Sequence, residues 1–204
     1  GLRIGAAPGP DLALRRLLVE AGIDPQRDQV EIGPVPGVAG QGVSFGVRAA
    51  RSLEAGTIDG FWANAMGSEV AVRSGAGTVV LDVRRGDGPP ESRNYTFPAL
   101  VTTENRIVED PESVAAAVRA IVKVQKALRG DPSRATAVGE RLFPPTEAGF
   151  IAELVKRDIP YYDPTISKDV VAGMNQFARD IGLLSSPTPY DQVVATQFRG
   201  LWTE

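Results

Sequence analysis

The first 85 residues alternate between two hydrophobic periodicities, and this alternation constrains the fold more than any other feature of the chain. Leu2 to Ala7 is a short apolar run closed by Pro8-Gly9-Pro10, which predicts a strand and then a turn. Leu12, Leu14, Leu17, Leu18 and Ala21 recur at helical spacing, and Gly22 supplies the stop. Val30 to Val35 reads as a second strand, ended by Pro34 and Pro36. A Gly-rich loop, Gly37 to Gly46, leads into a helix over 47–55 that Gly56 closes. A third strand is expected over 58–63, a helix around 66–73 and a fourth strand over 78–83. Strands and helices that alternate with such short connections imply a mostly parallel sheet covered by helices.

The second half has a different character. Arg85 to Asn94 is polar and rich in Gly and Pro, a loop or crossing segment, and Phe97 to Thr103 reads as one more strand. From there the chain is almost wholly helical. Asp110-Pro111 gives a helix start, with Asp at the N-cap and Pro at the first helical position. Val114, Val118, Ile121, Val122, Gln125 and Leu128 form its expected buried stripe, and Gly130 ends it. Asp131-Pro132 repeats the signal, and further helices are expected near 146–157, 167–181 and 189–199. The expected class is therefore α/β. Residues 1–95 form a complete parallel-sheet lobe with flanking helices, and 96–204 form a helix-rich remainder of a second lobe.

Composition narrows the function. The 204 residues carry a net charge of −3 with interspersed signs, so no basic stripe suited to nucleic acid is present. No run approaches the roughly 18 apolar residues of a membrane span. The chain has no cysteine and no histidine. A thiolate nucleophile, a thiolate metal site, an imidazole base and the commonest transition-metal ligand are all excluded. Glu20, Glu31 and Glu54 have surface-like contexts, and no pair of carboxylates has a spacing that recommends acid–base chemistry. We expect a protein that is not an enzyme and that uses no cofactor. The opening Gly1-Leu2-Arg3-Ile4 has no initiator methionine, which reads as a chain whose original N-terminus has been removed.

The order of segments carries a resemblance. A strand, Pro-Gly, a helix, "EAGID", a strand, a loop and then "RSLEAGTIDGFWAN" resemble the second lobe of extracytoplasmic solute-binding proteins of ABC importers. The similar subgroup serves nitrate, sulfonate, taurine and thiamine precursors and has the type 2 periplasmic-binding-protein fold. "YTFPALVTTENRIVEDPESVAAAVRAIVKVQKAL" is similar to the strand that returns to the first lobe and the helix after it. "YYDPTISKDVVAGMNQFARDIGLL" and "TPYDQVVATQFRGLW" resemble the family's last helices. The resemblance implies capture of a small organic molecule in an interlobe cleft by hinge closure. It also implies a periplasmic or extracytoplasmic location and a membrane permease as partner. Members of the family have roughly another lobe's worth of strands before the point matching Gly1, so a missing N-terminal segment or another chain would complete the family's first lobe, to which 96–204 correspond. Two alternatives remain open: a small-molecule enzyme on the same fold, similar to menaquinone-pathway lyases, and the effector-binding part of a transcriptional regulator.

Ligands of parallel α/β lobes sit at the carboxyl ends of the strands, which directs attention to three segments. Gly9, Pro10 and Asp11 stand where strand meets helix, and a helix start suits an anion. Family oxyanion binders carry Ser or Thr after this Gly. Pro10 instead removes a donor and Asp11 adds a negative charge, unless Asp11 only caps the helix. Ser44 and Phe45 open the next helix with Arg48 one turn in, and Arg48 is a candidate carboxylate partner or a solvated arginine. Trp62 and Asn64 end the third strand. There, alternation puts Ile58, Gly60 and Trp62 on one face, so Trp62 either stacks on a solute or belongs to the core. Tyr95, near the crossing between lobes, completes the candidate set.

Overall fold

The computed structural model describes residues 1–36, 44–94 and 98–203, which form two compact units, Gly1–Tyr95 and Thr96–Glu204. The α/β class expected from the alternating periodicities is the class observed.

In the first unit, β1 (Leu2–Ala6), α1 (Pro10–Glu20), β2 (Val30–Gly33), α2 (Phe45–Glu54), β3 (Gly60–Trp62) and α3 (Ala65–Arg73) follow one another. The sheet order is β2-β1-β3 and both pairings are parallel. Leu2 stands beside Val30 and Gly5 beside Gly33, while Ile4 faces Gly60 and Ala6 faces Trp62. Alternation then sorts the two faces. Ala6 and Ile32 meet Leu14 of α1 in a buried cluster, and Ile4, Leu18, Val30 and Trp62 pack around it. Gly5 points the other way. A Cβ there would meet Val35, Ile58 and Phe61. Ile58 therefore lies on the Phe61 side, not with Trp62 as strict alternation from residue 58 implied. The strand begins only at Gly60, and the turn before it breaks the period.

That turn is fastened at the amino end of the sheet. The Asp59 carboxylate accepts the Arg3 backbone N–H at 2.8 Å and the Arg3 guanidinium at 3.1 and 3.2 Å. The same guanidinium reaches the Gly56 carbonyl at 3.1 Å. These bonds from Arg3 hold the Asp59 carboxyl below the usual carboxylate range.

Two expected strands do not form. Residues 78–82 have no ladder partner, and Val80 is 92% exposed. The Asp82 N–H, which a ladder would need, donates to the Asp87 carboxylate at 3.0 Å instead. Asp82 in turn caps a 3-10 turn, Val83–Arg85, and holds Arg84 at 2.9 and 2.7 Å. Residues 82–87 thus form a turn organised by two carboxylates. Residues 98–103 also lack strand pairing. Val101 is 83% exposed there, and Thr103 is the N-cap of an unexpected helix, α4 (Glu104–Glu109).

The second unit continues with α5 (Pro111–Gly130), α6 (Arg134–Leu142), α7 (Pro145–Asp158), α8 (Lys168–Asp180) and a short α9 (Tyr190–Val193). Asp110 caps α5 as its sequence predicted, accepting the Ser113 N–H at 3.0 Å. Val122 and Ala115 are the buried residues of α5, whereas Ile121, expected in the stripe, is 42% exposed. α6 packs on α7 where Gly139 leaves room for Ile151. The single helix expected over 189–199 divides into α9 and a 3-10 segment, Thr196–Thr203, that packs against α5. Asn175 of α8 anchors the tail, donating to the Thr188 carbonyl at 2.8 Å and accepting the Thr188 N–H at 2.9 Å.

Candidate functional site

In this sheet the connection from β1 to β2 runs one way, and the connection from β2 to β3 returns across β1. Such a reversal leaves a crevice outside the carboxyl ends of the two strands that flank it, here β1 and β3. The pairing of Ala6 with Trp62 sets the two exits side by side. Gly9, Pro10 and Asp11 leave from β1, and Trp62 and Asn64 from β3.

At the first exit Gly9, not Asp11, is the N-cap of α1. Its φ of 93° lies in the left-handed region, which glycine adopts without strain, and no side chain caps this end. Asp11 folds back instead. Its carboxylate accepts the Gly9 N–H at 3.0 Å and Arg15 at 3.4 Å, while Arg15 also donates to the Ile32 carbonyl at 2.8 Å. Asp11 is therefore committed to shaping the turn and holding Arg15 over the end of β2.

The other two helix starts form a pair. Ser44 is the N-cap of α2 and accepts the Val47 N–H at 3.4 Å, and Asn64 is the N-cap of α3 and accepts the Gly67 N–H at 3.3 Å. Neither first turn contains an acidic residue, unlike α1 with Asp11. The positive ends of both helix dipoles thus meet no carboxylate within their own first turns. The two starts touch: a Cβ on Gly46 would stand 2.8 Å from Asn64 Oδ1 and 2.9 Å from Gly67 Cα. Gly46, which follows Ser44 and Phe45 in the chain, is consequently a neighbour of Asn64. Arg48 follows one turn in, and its Nε is buried without a hydrogen-bond partner among the described residues.

Trp62 is half-buried and packs against the Ala6–Leu14–Ile32 cluster, so part of its ring belongs to the core. Tyr95 lies outside the described residues. Gly46 and Gly67 were missed in the sequence. Their signal is a glycine within the first turn of each helix, after the capping Ser44 and Asn64. Among the described residues no group of three or more acidic side chains is placed to hold a metal ion. No helix among them is long and apolar enough to cross a membrane.

A parallel sheet with helix starts gathered at its switch point defines an α/β fold of the open-sheet kind. Comparison with protein families agrees: the chain belongs to the NMT1-like family, whose model matches residues 3–142. That family is part of the type 2 periplasmic-binding-protein group, the solute-binding proteins of ABC transporters. It is generally a family of binding proteins rather than enzymes, and its members are typically extracytoplasmic. Neither the lyase nor the regulator alternative gains support from this membership. No curated protein and no solved structure matches the chain.

Proposed function

We propose that this chain is the solute-binding component of an ABC importer that works outside the cytoplasm and delivers its solute unchanged to a membrane permease. The observation that carries the reading is the gathering of three helix starts at the carboxyl ends of a β2-β1-β3 sheet. The group that binds there is a small solute of the nitrate, sulfonate, taurine and thiamine-precursor kind. Trp62 offers an aromatic face to its flat or apolar part. Ser44 and Asn64 offer hydrogen-bonding groups, and Arg48 a cation for a carboxylate or sulfonate. Gly9 and Pro10 shape the third wall, where the Asp11–Arg15 pair leaves little attraction for an anion. Tyr95 enters as a further contact on the sequence argument alone. Capture is by closure on the solute, driven by the solute's preference for the closed form. It needs no cofactor and no side chain that titrates near neutral pH.

Thermal-shift and calorimetric titrations with nitrate, taurine, an alkanesulfonate and an aminopyrimidine thiamine precursor test the assignment. At least one raises the melting temperature with one-to-one stoichiometry. Trp62→Ala weakens that binding on the order of tenfold, the loss of a stacked aromatic contact. Unchanged affinity in calorimetry removes Trp62 from the site.

A further inference from the structure

We infer that Gly46 and Gly67 are positioning residues of the solute site, holding the starts of α2 and α3 at a spacing that any side chain would widen. This rests on the reading above of where the solute binds. Neither glycine has a positive φ, so backbone conformation does not require glycine at either place. Within a helix glycine is less favourable than alanine, and a reason other than helix formation must retain it. That reason is space. A Cβ on Gly67 would lie 2.6 Å from Gly46 Cα and 2.8 Å from its carbonyl carbon and oxygen. A Cβ on Gly46 would lie 2.9 Å from Gly67 Cα and 3.0 Å from Gly67 N, besides 2.8 Å from Asn64 Oδ1. Most of these obstacles are backbone atoms, which no side-chain rotation can move. Restoring ordinary carbon contact requires the helices to part by roughly 1 Å.

The place of the contact gives it a functional sense. It falls in the first turn of both helices, beside the Ser44 and Asn64 caps, so parting the helices moves the caps and the first-turn N–H groups. At the far end of α2 the close contact is of another kind: a Cβ on Gly77, in the turn after α3, would meet Leu53 Cδ2 at 2.8 Å, the end of a flexible side chain that can turn aside. Tolerance is therefore tight at the site end and loose at the other. Binding geometry is the property most sensitive to a shift of that size.

The test compares Gly46→Ala, Gly67→Ala and Leu53→Ala, a packing change at the distant end, in the full chain. Calorimetry with the four solutes named above gives affinities, and amide exchange at positions 47 and 67 follows the two capping bonds. Both glycine variants are expected to bind the responding solute on the order of tenfold more weakly. They are also expected to exchange faster at positions 47 and 67, while Leu53→Ala keeps native affinity and exchange. Gly46→Ala is the milder overlap, because one of its obstacles is the Asn64 side chain, and it serves if Gly67→Ala does not fold. Native affinity and exchange in the glycine variants overturn the inference, as does an equal loss in Leu53→Ala. If the native chain binds none of the four solutes, the proposed function fails and the exchange rates alone decide the positioning claim.

Discussion

Leu14→Ala removes the side chain around which the first unit's α1-side core is assembled. Leu14 is 8% exposed and meets Ala6 and Ile32, with Ile4, Leu18, Val30 and Trp62 around them. Losing three buried carbons costs about 2.4 kcal/mol from transfer alone, at roughly 0.8 kcal/mol each. A rigid cavity would raise this toward about 5 kcal/mol. Leu18 and Trp62 are only partly buried, though, and can settle inward, so we expect about 2–3 kcal/mol. In a unit of this size that lowers the melting temperature by roughly 10–20 °C. The assay uses the chain's two tryptophans, Trp62 in the first unit and Trp202 in the second. Single-tryptophan backgrounds made with Trp62→Phe or Trp202→Phe report each unit separately. Leu14→Ala should shift the Trp62 transition to lower temperature by that amount. A shift below roughly 3 °C would refute the packing argument.

Three further outcomes follow from named contacts. Asn175→Ala removes both bonds to Thr188 and leaves a part-buried backbone N–H unpaired, at a cost of about 1–3 kcal/mol. Urea unfolding followed at Trp202 measures it, and an unchanged midpoint contradicts it. Asp59→Asn removes the charge that fastens β1 to β3. The folded Asp59 titrates below its unfolded value of 3.8, so its contribution is complete above that value and is lost as pH falls through the folded one. Native and variant chains should therefore differ in stability at neutral pH and converge in acid once the folded Asp59 is protonated, and a gap that persists there denies the linkage. Asp110→Ala should weaken the α5 start through loss of its cap, visible as reduced helical ellipticity and an earlier urea midpoint.

Much of the first unit was legible because its core obeys two clean periods. The helical spacing of Leu14, Leu17 and Leu18 and the apolar run at Leu2–Ala6 each had one reading. A capping residue marked the helix start equally well at Asp110. The failures share a cause: a strand exists only when another strand accepts its hydrogen bonds. Residues 78–82 and 98–103 have strand-like side chains, but pairing is a property of neighbours that local sequence does not encode. The candidate site was legible by segment rather than by role. Asp11 looked like a cap or a ligand contact, and proved to bond the Gly9 N–H and Arg15 because Gly9 itself takes the N-cap position. The Gly46–Gly67 contact was invisible, since it joins residues 21 positions apart through a helix crossing that only the fold defines.

The most direct test of the whole account is native mass spectrometry of the chain incubated with the four solutes, followed by recovery and analysis of whatever it carried. A one-to-one complex whose solute is released chemically unchanged is the predicted result. A transformed product, or no complex with any of the four, would contradict the reading of this NMT1-like chain as a solute receptor.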